Sequence, residues 1–156
     1  MCRCFGEPIP VPDSVAPAWS FPSATRLASA SEAELRNCKM GFRAPYVLGA
    51  ARKVAGGDVD LQRLAGLSVD HAREALLTLP GVGPKIADCV LLFAYGFQEA
   101  FPVDVWIMKA LHQLYFPNRR PKLPRLRHFS RTYFAPYSGY AQQYLFHYMR
   151  TARRKL

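Results

Sequence analysis

Acidic residues are absent from the last third of this 156-residue sequence. All eleven acids lie at or before Asp104, whereas the stretch from Met108 to Leu156 carries eleven lysines and arginines. The formal net charge of +10 therefore belongs entirely to the C-terminal third. A region whose charges are all positive favours binding to a polyanion, because each phosphate contact releases condensed counterions. The alternatives are a solvated basic face and an anionic membrane surface, and the second is disfavoured because the segment lacks a clean amphipathic apolar face.

Cysteine is scarce, and its spacing excludes the common metal sites. Cys2, Cys4, Cys38 and Cys89 show neither the paired spacing of a zinc site nor the close set that an iron–sulfur cluster needs. We therefore expect reduced thiols, no metal and no cofactor. No apolar run reaches the roughly 18 residues that span a bilayer, and the N-terminus lacks a signal-peptide pattern. We expect a cytoplasmic protein, associated with the nucleoid if it is bacterial.

Strand-like alternation of convincing length is also missing, which favours an all-α fold. The length predicts one domain, and the breaks at proline and glycine predict about seven or eight short helices. Residues 7–22 are rich in proline and predict an extended loop, whereas Ser31 with Glu34 predicts a helix-capping box. Further helices are predicted over residues 42–54, 61–67, 69–79, 84–95, 103–115, 123–134 and 138–151.

A glycine hairpin is predicted at about residues 69–95, and Lys85 follows its turn. The sequence Pro-Gly-Val-Gly at residues 80–83 separates two apolar helical runs. Glycine permits positive φ and leaves backbone N–H groups uncovered, which suits close approach to a phosphate. The lysine is either a nucleophile that can carry a Schiff base or a cation that pairs with a DNA phosphate. The hairpin alone favours neither role.

A lone carboxylate, Asp104, follows nineteen residues after Lys85. This separation leaves room for a helix, a turn and the start of a following helix that returns to the hairpin. A carboxylate there can stabilise a developing oxocarbenium cation when a glycosidic bond breaks, and it can equally cap the following helix. Because only one such acid is available, the paired-carboxylate arrangement of sugar hydrolases does not apply.

Four sequence motifs resemble one known family. The stretches L-P-G-V-G-P-K-I-A-D-C at residues 79–89 and F-P-V-D-V at residues 101–105 resemble the helix-hairpin-helix (HhH-GPD) DNA glycosylases, specifically the 8-oxoguanine DNA glycosylase/AP lyase group. G-F-R-A-P-Y at residues 41–46 and A-P-Y-S-G-Y-A-Q-Q-Y-L-F at residues 135–146 fit the same group. The resemblance covers essentially the whole chain. It implies a partial glycosylase catalytic domain over residues 1–156 that removes 8-oxoguanine opposite cytosine and cleaves the abasic site by β-elimination.

The same resemblance implies roles for five side chains. Lys85 is the nucleophile at C1′ of the damaged nucleotide, and Asp104 assists the attack and stabilises the transition state. Gln142 reads the Watson–Crick edge of the flipped base, while Phe146 and Cys89 pack on its faces. From the residues alone, Gln142 is equally a surface amide, and Phe146 and Cys89 are first of all core packing.

The resemblance also implies a DNA surface. The backbone contact belongs to the hairpin turn, which consists of Gly81, Val82 and Gly83. Arg43 holds the orphaned cytosine and Phe42 enters the emptied stack, the alternatives being a solvated charge and a core aromatic residue. Trp106 stands where eukaryotic members place a histidine, so it donates one neutral hydrogen bond to a phosphate but supplies no charge. The expected partner is double-stranded DNA containing oxidised guanine, bound by a monomer and without a membrane.

One departure from the family concerns the N-terminal side. The family's sheet domain and the helix whose asparagine fills the emptied base position have no counterpart, so the sequence resembles roughly the second half of a member, with Met1 as an internal methionine. The alternative function is a non-catalytic or decayed hairpin module that binds duplex DNA. An endonuclease III-like glycosylase is disfavoured because no cysteine cluster ends the chain, and adenine-specific relatives lack the hairpin lysine.

Overall fold

The computed structural model describes residues 1–152, which form mainly helices joined by short turns. The α-helices are α1 Cys2–Phe5, α2 Ala24–Ala28, α3 Glu32–Leu35, α4 Ala44–Ala55, α5 Val69–Leu77, α6 Pro84–Ala94, α7 Val105–Leu114, α8 Leu123–Tyr133 and α9 Ser138–Ala152. A π-helical turn over Arg36–Met40 is kinked by non-helical backbone at Cys38 and Lys39, and 3-10 turns cover Gly41–Arg43 and Arg63–Gly66. The predicted all-α class is confirmed. Within the described residues, every helix is too short or too polar to cross a bilayer.

The proline-rich stretch near the N-terminus differs from the prediction. Instead of a continuous loop, strand β1 (Pro8–Ile9) pairs with strand β2 (Ala18–Trp19) in an antiparallel ladder that places Pro8 opposite Trp19. The Ser20 N–H extends the pairing by donating to the Glu7 carbonyl at 2.9 Å. The prediction of a plain loop was wrong here because proline forbids only donation by its own nitrogen, and a two-residue ladder tolerates that loss.

The chain divides into two compact units, of which unit 1 comprises residues 1–63 and 78–81. Helix α2 packs against α4, and the shared core is built on Leu27, Leu35 and Ala44, the last two fully buried. The predicted capping box is present: Ser31 Oγ accepts from the Glu34 N–H at 3.2 Å, and Glu34 Oε2 accepts from the Ser31 N–H at 2.8 Å. The box fixes the start of α3 because it satisfies two N–H groups that a helix leaves unpaired.

Unit 2 comprises residues 64–77 and the chain from Val82 onward. Helix α7 packs against α9, and α8 packs against both. Their core contains Phe101, whose ring stacks on Phe134 with centroids 5.7 Å apart. At Gly139 a Cβ atom would lie 2.3 Å from Leu92 Cδ1 on α6, so a larger residue would require the Leu92 side chain to shift. The first turn of α9 therefore lies against Leu92 of α6.

An ion-pair network joins three helices of unit 2. Arg73 on α5 donates from Nε to Asp88 Oδ1 on α6 at 2.7 Å and also pairs with Asp70, which accepts from Arg131 Nη2 on α8 at 2.7 Å. Burial raises the pKa of Asp88, although the Arg73 guanidinium pulls it the other way. Burial alone would also raise the pKa of Asp70, but Arg131 and Arg73 outweigh it and lower that pKa. Arg131, one of the basic residues of the C-terminal third, therefore forms an ion pair within the protein.

Candidate active site

The hairpin turn is built around a glycine with positive φ. Gly81 has φ +77°, and a Cβ atom at this position would lie 2.7 Å from the Cβ atom of Tyr46. Gly83 is extended and caps α6, and its carbonyl accepts from the Ala87 N–H at 2.9 Å. Pro84 takes the first helical position, where its missing N–H costs nothing. Lys85 is consequently the second residue of α6, in its N-terminal turn.

A cavity of about 190 Å³ lies in unit 2, beside the N-terminal turn of α6. Its lining comes from α6, from the segment that leads into α7, and from α9. The lining residues are Lys85, Cys89, Phe93, Pro102, Asp104, Gln142, Gln143 and Phe146. The structure therefore brings together the five side chains for which the resemblance implies roles in catalysis and base recognition, from segments up to sixty-one residues apart.

One face of α6 supplies three of the lining residues. Lys85, Cys89 and Phe93 follow one another at intervals of four, which places them on the same side of the helix. Lys85 is exposed and Cys89 is half-buried. Phe93 was not predicted as a site residue, although 62% of its surface is exposed, which is unusual for a phenylalanine. The four-residue spacing from Cys89 is the signal that identifies it.

Asp104 caps helix α7 with its side chain. Its Oδ1 accepts from the Trp106 N–H at 2.9 Å and from the Ile107 N–H at 2.8 Å. The capping alternative is thus correct as far as local structure goes, and the same carboxylate also lines the cavity. The Trp106 ring lies one turn from Lys109, whose Nζ is 5.5 Å from the ring centroid.

Gln142 is buried with only 5% of its surface exposed, so it is not a surface amide. Its Nε2 donates to the Pro102 carbonyl at 3.3 Å, and its Oε1 accepts from Gln143 Nε2. Phe146 is half-buried: it packs against the core of unit 2 and lines the cavity, and the Arg150 guanidinium carbon lies 5.5 Å from its ring centroid. Core packing and cavity lining thus coexist in this one side chain. Pro102 and Gln143 carry no sequence signal that marks them as site residues.

Phe42 and Arg43 lie in unit 1, in the 3-10 turn before α4. Phe42 leaves 69% of its surface exposed, so the alternative of a core aromatic residue is wrong. The Arg43 guanidinium carbon lies 4.7 Å from the centroid of the Phe42 ring, within range of a cation–π contact. The turn therefore presents an aromatic ring and a guanidinium together.

The cysteines are all free thiols. The thiol of Cys38 hydrogen-bonds with that of Cys4, and this contact, together with burial, raises the pKa of Cys38. Within residues 1–152, His, Cys, Asp and Glu side chains form no group of three or more that could hold a metal ion.

Residues 8–135 match the family described as the HhH-GPD superfamily base excision DNA repair protein. A probable N-glycosylase/DNA lyase of Methanothermobacter thermautotrophicus is 42% identical over 117 residues, which are 75% of this chain and 37% of that protein. The N-glycosylase/DNA lyase OGG1 of Arabidopsis thaliana is 36% identical over 81% of this chain and 37% of its own length.

Two solved structures are also similar to this chain. A structure of MBOgg1 in complex with a low-affinity DNA ligand superposes with a TM-score of 0.90 and 36% identity. The 8-oxoguanine glycosylase/lyase of Clostridium acetobutylicum, in complex with double-stranded DNA containing cytosine opposite 8-oxoguanine, gives a TM-score of 0.90 and 33% identity. Both comparisons cover 97% of this chain and 51% of the other. The chain thus spans between about a third and a half of the length of these relatives.

Proposed function

This chain belongs to the HhH-GPD superfamily of base excision DNA repair proteins, and on that premise we propose that it excises 8-oxoguanine opposite cytosine and then cleaves the abasic strand. One observation carries the proposal: Lys85, Asp104, Gln142 and Phe146 line a single cavity. A nucleophile, a carboxylate, an amide and an aromatic ring are the groups needed to bind and release a purine base. Relatives described as N-glycosylase/DNA lyases support the same reaction class.

Lys85 is the group that attacks. In its neutral form Nζ bonds to C1′ of the damaged nucleotide while the bond from C1′ to the base breaks, and the base leaves with the bonding electron pair. The departing base takes up the proton that nitrogen loses, and opening of the sugar ring, in which O4′ gains a proton from water, gives a protonated Schiff base. Removal of a proton from C2′ by water then expels the 3′ phosphate by β-elimination. One covalent intermediate therefore serves both base removal and strand cleavage.

Asp104 stabilises the positive charge that develops at C1′. Two backbone N–H groups bind Oδ1 and hold the carboxylate in place at the cavity. A fixed carboxylate needs no reorganisation at the moment of reaction, and this preorganisation is the usual source of electrostatic catalysis. The helix cap is therefore the device that orients the charge.

The base binds beside Gln142. A guanine-type base offers N–H donors and a carbonyl acceptor on its Watson–Crick edge, and an amide can meet both kinds of group. Cys89 and Phe146 flank the same cavity and pack on the faces of the base. A base reaches this cavity only after extrusion from the duplex, which is the general solution for enzymes that act on a stacked base.

The remaining DNA contacts come from three places. Gly81, Val82 and Gly83 of the hairpin turn contact a phosphate through backbone N–H groups. Phe42 fills the gap left in the stack, and its neighbour Arg43 holds the unpaired cytosine. Trp106 donates a hydrogen bond to a phosphate. The protein acts on this duplex as a monomer.

Borohydride trapping on a duplex with 8-oxoguanine opposite cytosine tests the proposal. The unchanged protein should give a covalent protein–DNA adduct, and Lys85→Gln should give none while still binding DNA. Lys122→Gln is a matched control, because it removes an exposed lysine outside the cavity. No adduct with the unchanged protein, combined with salt-dependent binding that ignores the lesion, would instead favour a non-catalytic hairpin module.

A further inference from the structure

We propose that Gln143 is a positioning residue that orients the Gln142 amide and thereby helps the site select a guanine-type base. The proposal rests on the function proposed above, because it concerns how that site reads its base. Gln143 touches both Gln142 and the cavity, and its side chain lies at the exposed rim rather than in the core.

The direction of the hydrogen bonds follows from the Pro102 carbonyl. A carbonyl oxygen only accepts, so the Gln142 amide must turn its Nε2 toward Pro102, where the separation is 3.3 Å. Oε1 of Gln142 then points to Gln143. That contact is a hydrogen bond only if Gln143 donates, as its Nε2 does. The two contacts thus allow one orientation of an amide whose two ends are otherwise nearly equivalent in shape.

This orientation matters for the base because it places Oε1 of Gln142 in a fixed direction. Oε1 has a second lone pair that can accept from the N1–H or N2–H of a guanine-type base. A reversed amide would present N–H groups to those same donors. Since a buried donor that faces another donor costs free energy, reversal weakens binding of a guanine edge. Adenine has an acceptor at N1, so this loss is specific to the guanine edge.

Gln143 can be varied to test this relay. Gln143→Glu keeps the size but offers only acceptors, whereas Gln143→Met is neutral and offers no donor. Gln143→Lys retains a donor and is the conservative variant. Because Gln143 is exposed, we expect all three variants to fold, which thermal melting will verify.

The readout is single-turnover kinetics on two duplexes. One contains 8-oxoguanine opposite cytosine, and the other contains a preformed abasic site, which needs Lys85 but presents no base to read. We expect Gln143→Glu and Gln143→Met to slow excision of 8-oxoguanine by about tenfold, in the range for a lost hydrogen bond to a buried group, while strand cleavage at the abasic site is unchanged. Gln143→Lys should restore excision to within about threefold of the unchanged protein.

Each other outcome counts against a definite part of the argument. Unchanged excision of 8-oxoguanine by Gln143→Glu and Gln143→Met overturns the positioning role. An equal loss on both duplexes also overturns it, because the defect then lies in DNA binding or in Lys85 rather than in base reading. If the unchanged protein acts on neither duplex, the proposed function itself fails, and that result is distinguishable from both of these.

Discussion

Asp104 caps a helix and carries the charge that we propose for catalysis, and substitution can separate the two. Its Oδ1 caps α7 by accepting two backbone N–H groups, and its negative charge faces the cavity. Asparagine is as good an N-cap as aspartate but carries no charge. Alanine has neither property. Comparing Asp104→Asn with Asp104→Ala therefore divides the contribution to stability from the contribution to the reaction.

The magnitudes follow from the structure. Asp104→Ala should lower the free energy of unfolding by about 1 kcal/mol, within a range of about 0.5–2, because two N–H groups lose their acceptor. This corresponds to a Tm lower by roughly 2–4 °C for a chain of this size. Asp104→Asn should cost only about 0.5 kcal/mol, the share due to a negative charge at a helix N-terminus. Both variants should slow adduct formation by about 100- to 1000-fold, as expected when one preorganised electrostatic group is removed.

Two assays give the comparison, chemical denaturation for stability and the rate of borohydride trapping for the reaction. Asp104→Ser is the control, because serine caps well and has no carboxylate. It should behave like Asp104→Asn in both assays. The reasoning is refuted if Asp104→Asn traps at the rate of the unchanged protein, because the charge then plays no part. It is equally refuted if Asp104→Asn is as unstable as Asp104→Ala, because the cap is then not what stabilises α7.

Three further predictions concern the hairpin, the ion pairs and the exposed turn. Gly81→Ala should lower the free energy of unfolding by about 2 kcal/mol or more, because alanine is strained at φ +77° and its Cβ would clash with Tyr46. A thermal melting temperature equal to that of the unchanged protein would refute this. Arg131 and Arg73 lower the pKa of Asp70. The stability that the ionised Asp70 contributes is therefore present above the ordinary aspartate pKa of 3.8, and it is lost as pH falls through the lower pKa that Asp70 has in the folded protein. Denaturation midpoints of Asp70→Asn should consequently depend less on pH between about pH 5 and 3 than those of the unchanged protein, and equal slopes would contradict the ion pair. Phe42→Ala should change the free energy of unfolding by less than about 0.5 kcal/mol yet weaken binding to a damaged duplex by about 1–3 kcal/mol, and unaltered affinity in a fluorescence titration would remove Phe42 from the DNA surface.

Local chemistry made several features predictable. Ser31 and Glu34 marked a helix start because both groups of a capping box lie within four residues, and the structure has that box. A helix cap was one of the two roles that the sequence left open for Asp104, and the structure has that cap. The helices α6 and α9 lie within one residue of the predicted bounds, and α6 begins at Pro84, as predicted. Short-range hydrogen bonds and apolar spacing need no knowledge of the rest of the chain.

Other features depend on partners that are distant in sequence. The charge of the basic C-terminal segment predicted a surface that binds a polyanion. Arg131 of this segment instead pairs with Asp70, sixty-one residues earlier. Gln142 was equally a surface amide on local grounds, but it is buried in the structure and donates to the carbonyl of Pro102, forty residues earlier. Pro102 and Gln143 were missed because an orienting hydrogen bond depends on which atoms meet in space.

The sequence by itself determined the helical class, the hairpin with its lysine and the carboxylate that follows it, because turn residues, caps and helical periodicity act over a few positions. The tertiary structure decided which of these residues share a cavity, and which charges are already paired within the protein. The physical reason is that burial, ion pairing and the direction of an amide depend on distances between segments, and these distances are set only when the helices pack. The residues proposed as reactive groups lie in short sequence motifs, whereas the pocket that surrounds them forms only when the helices pack.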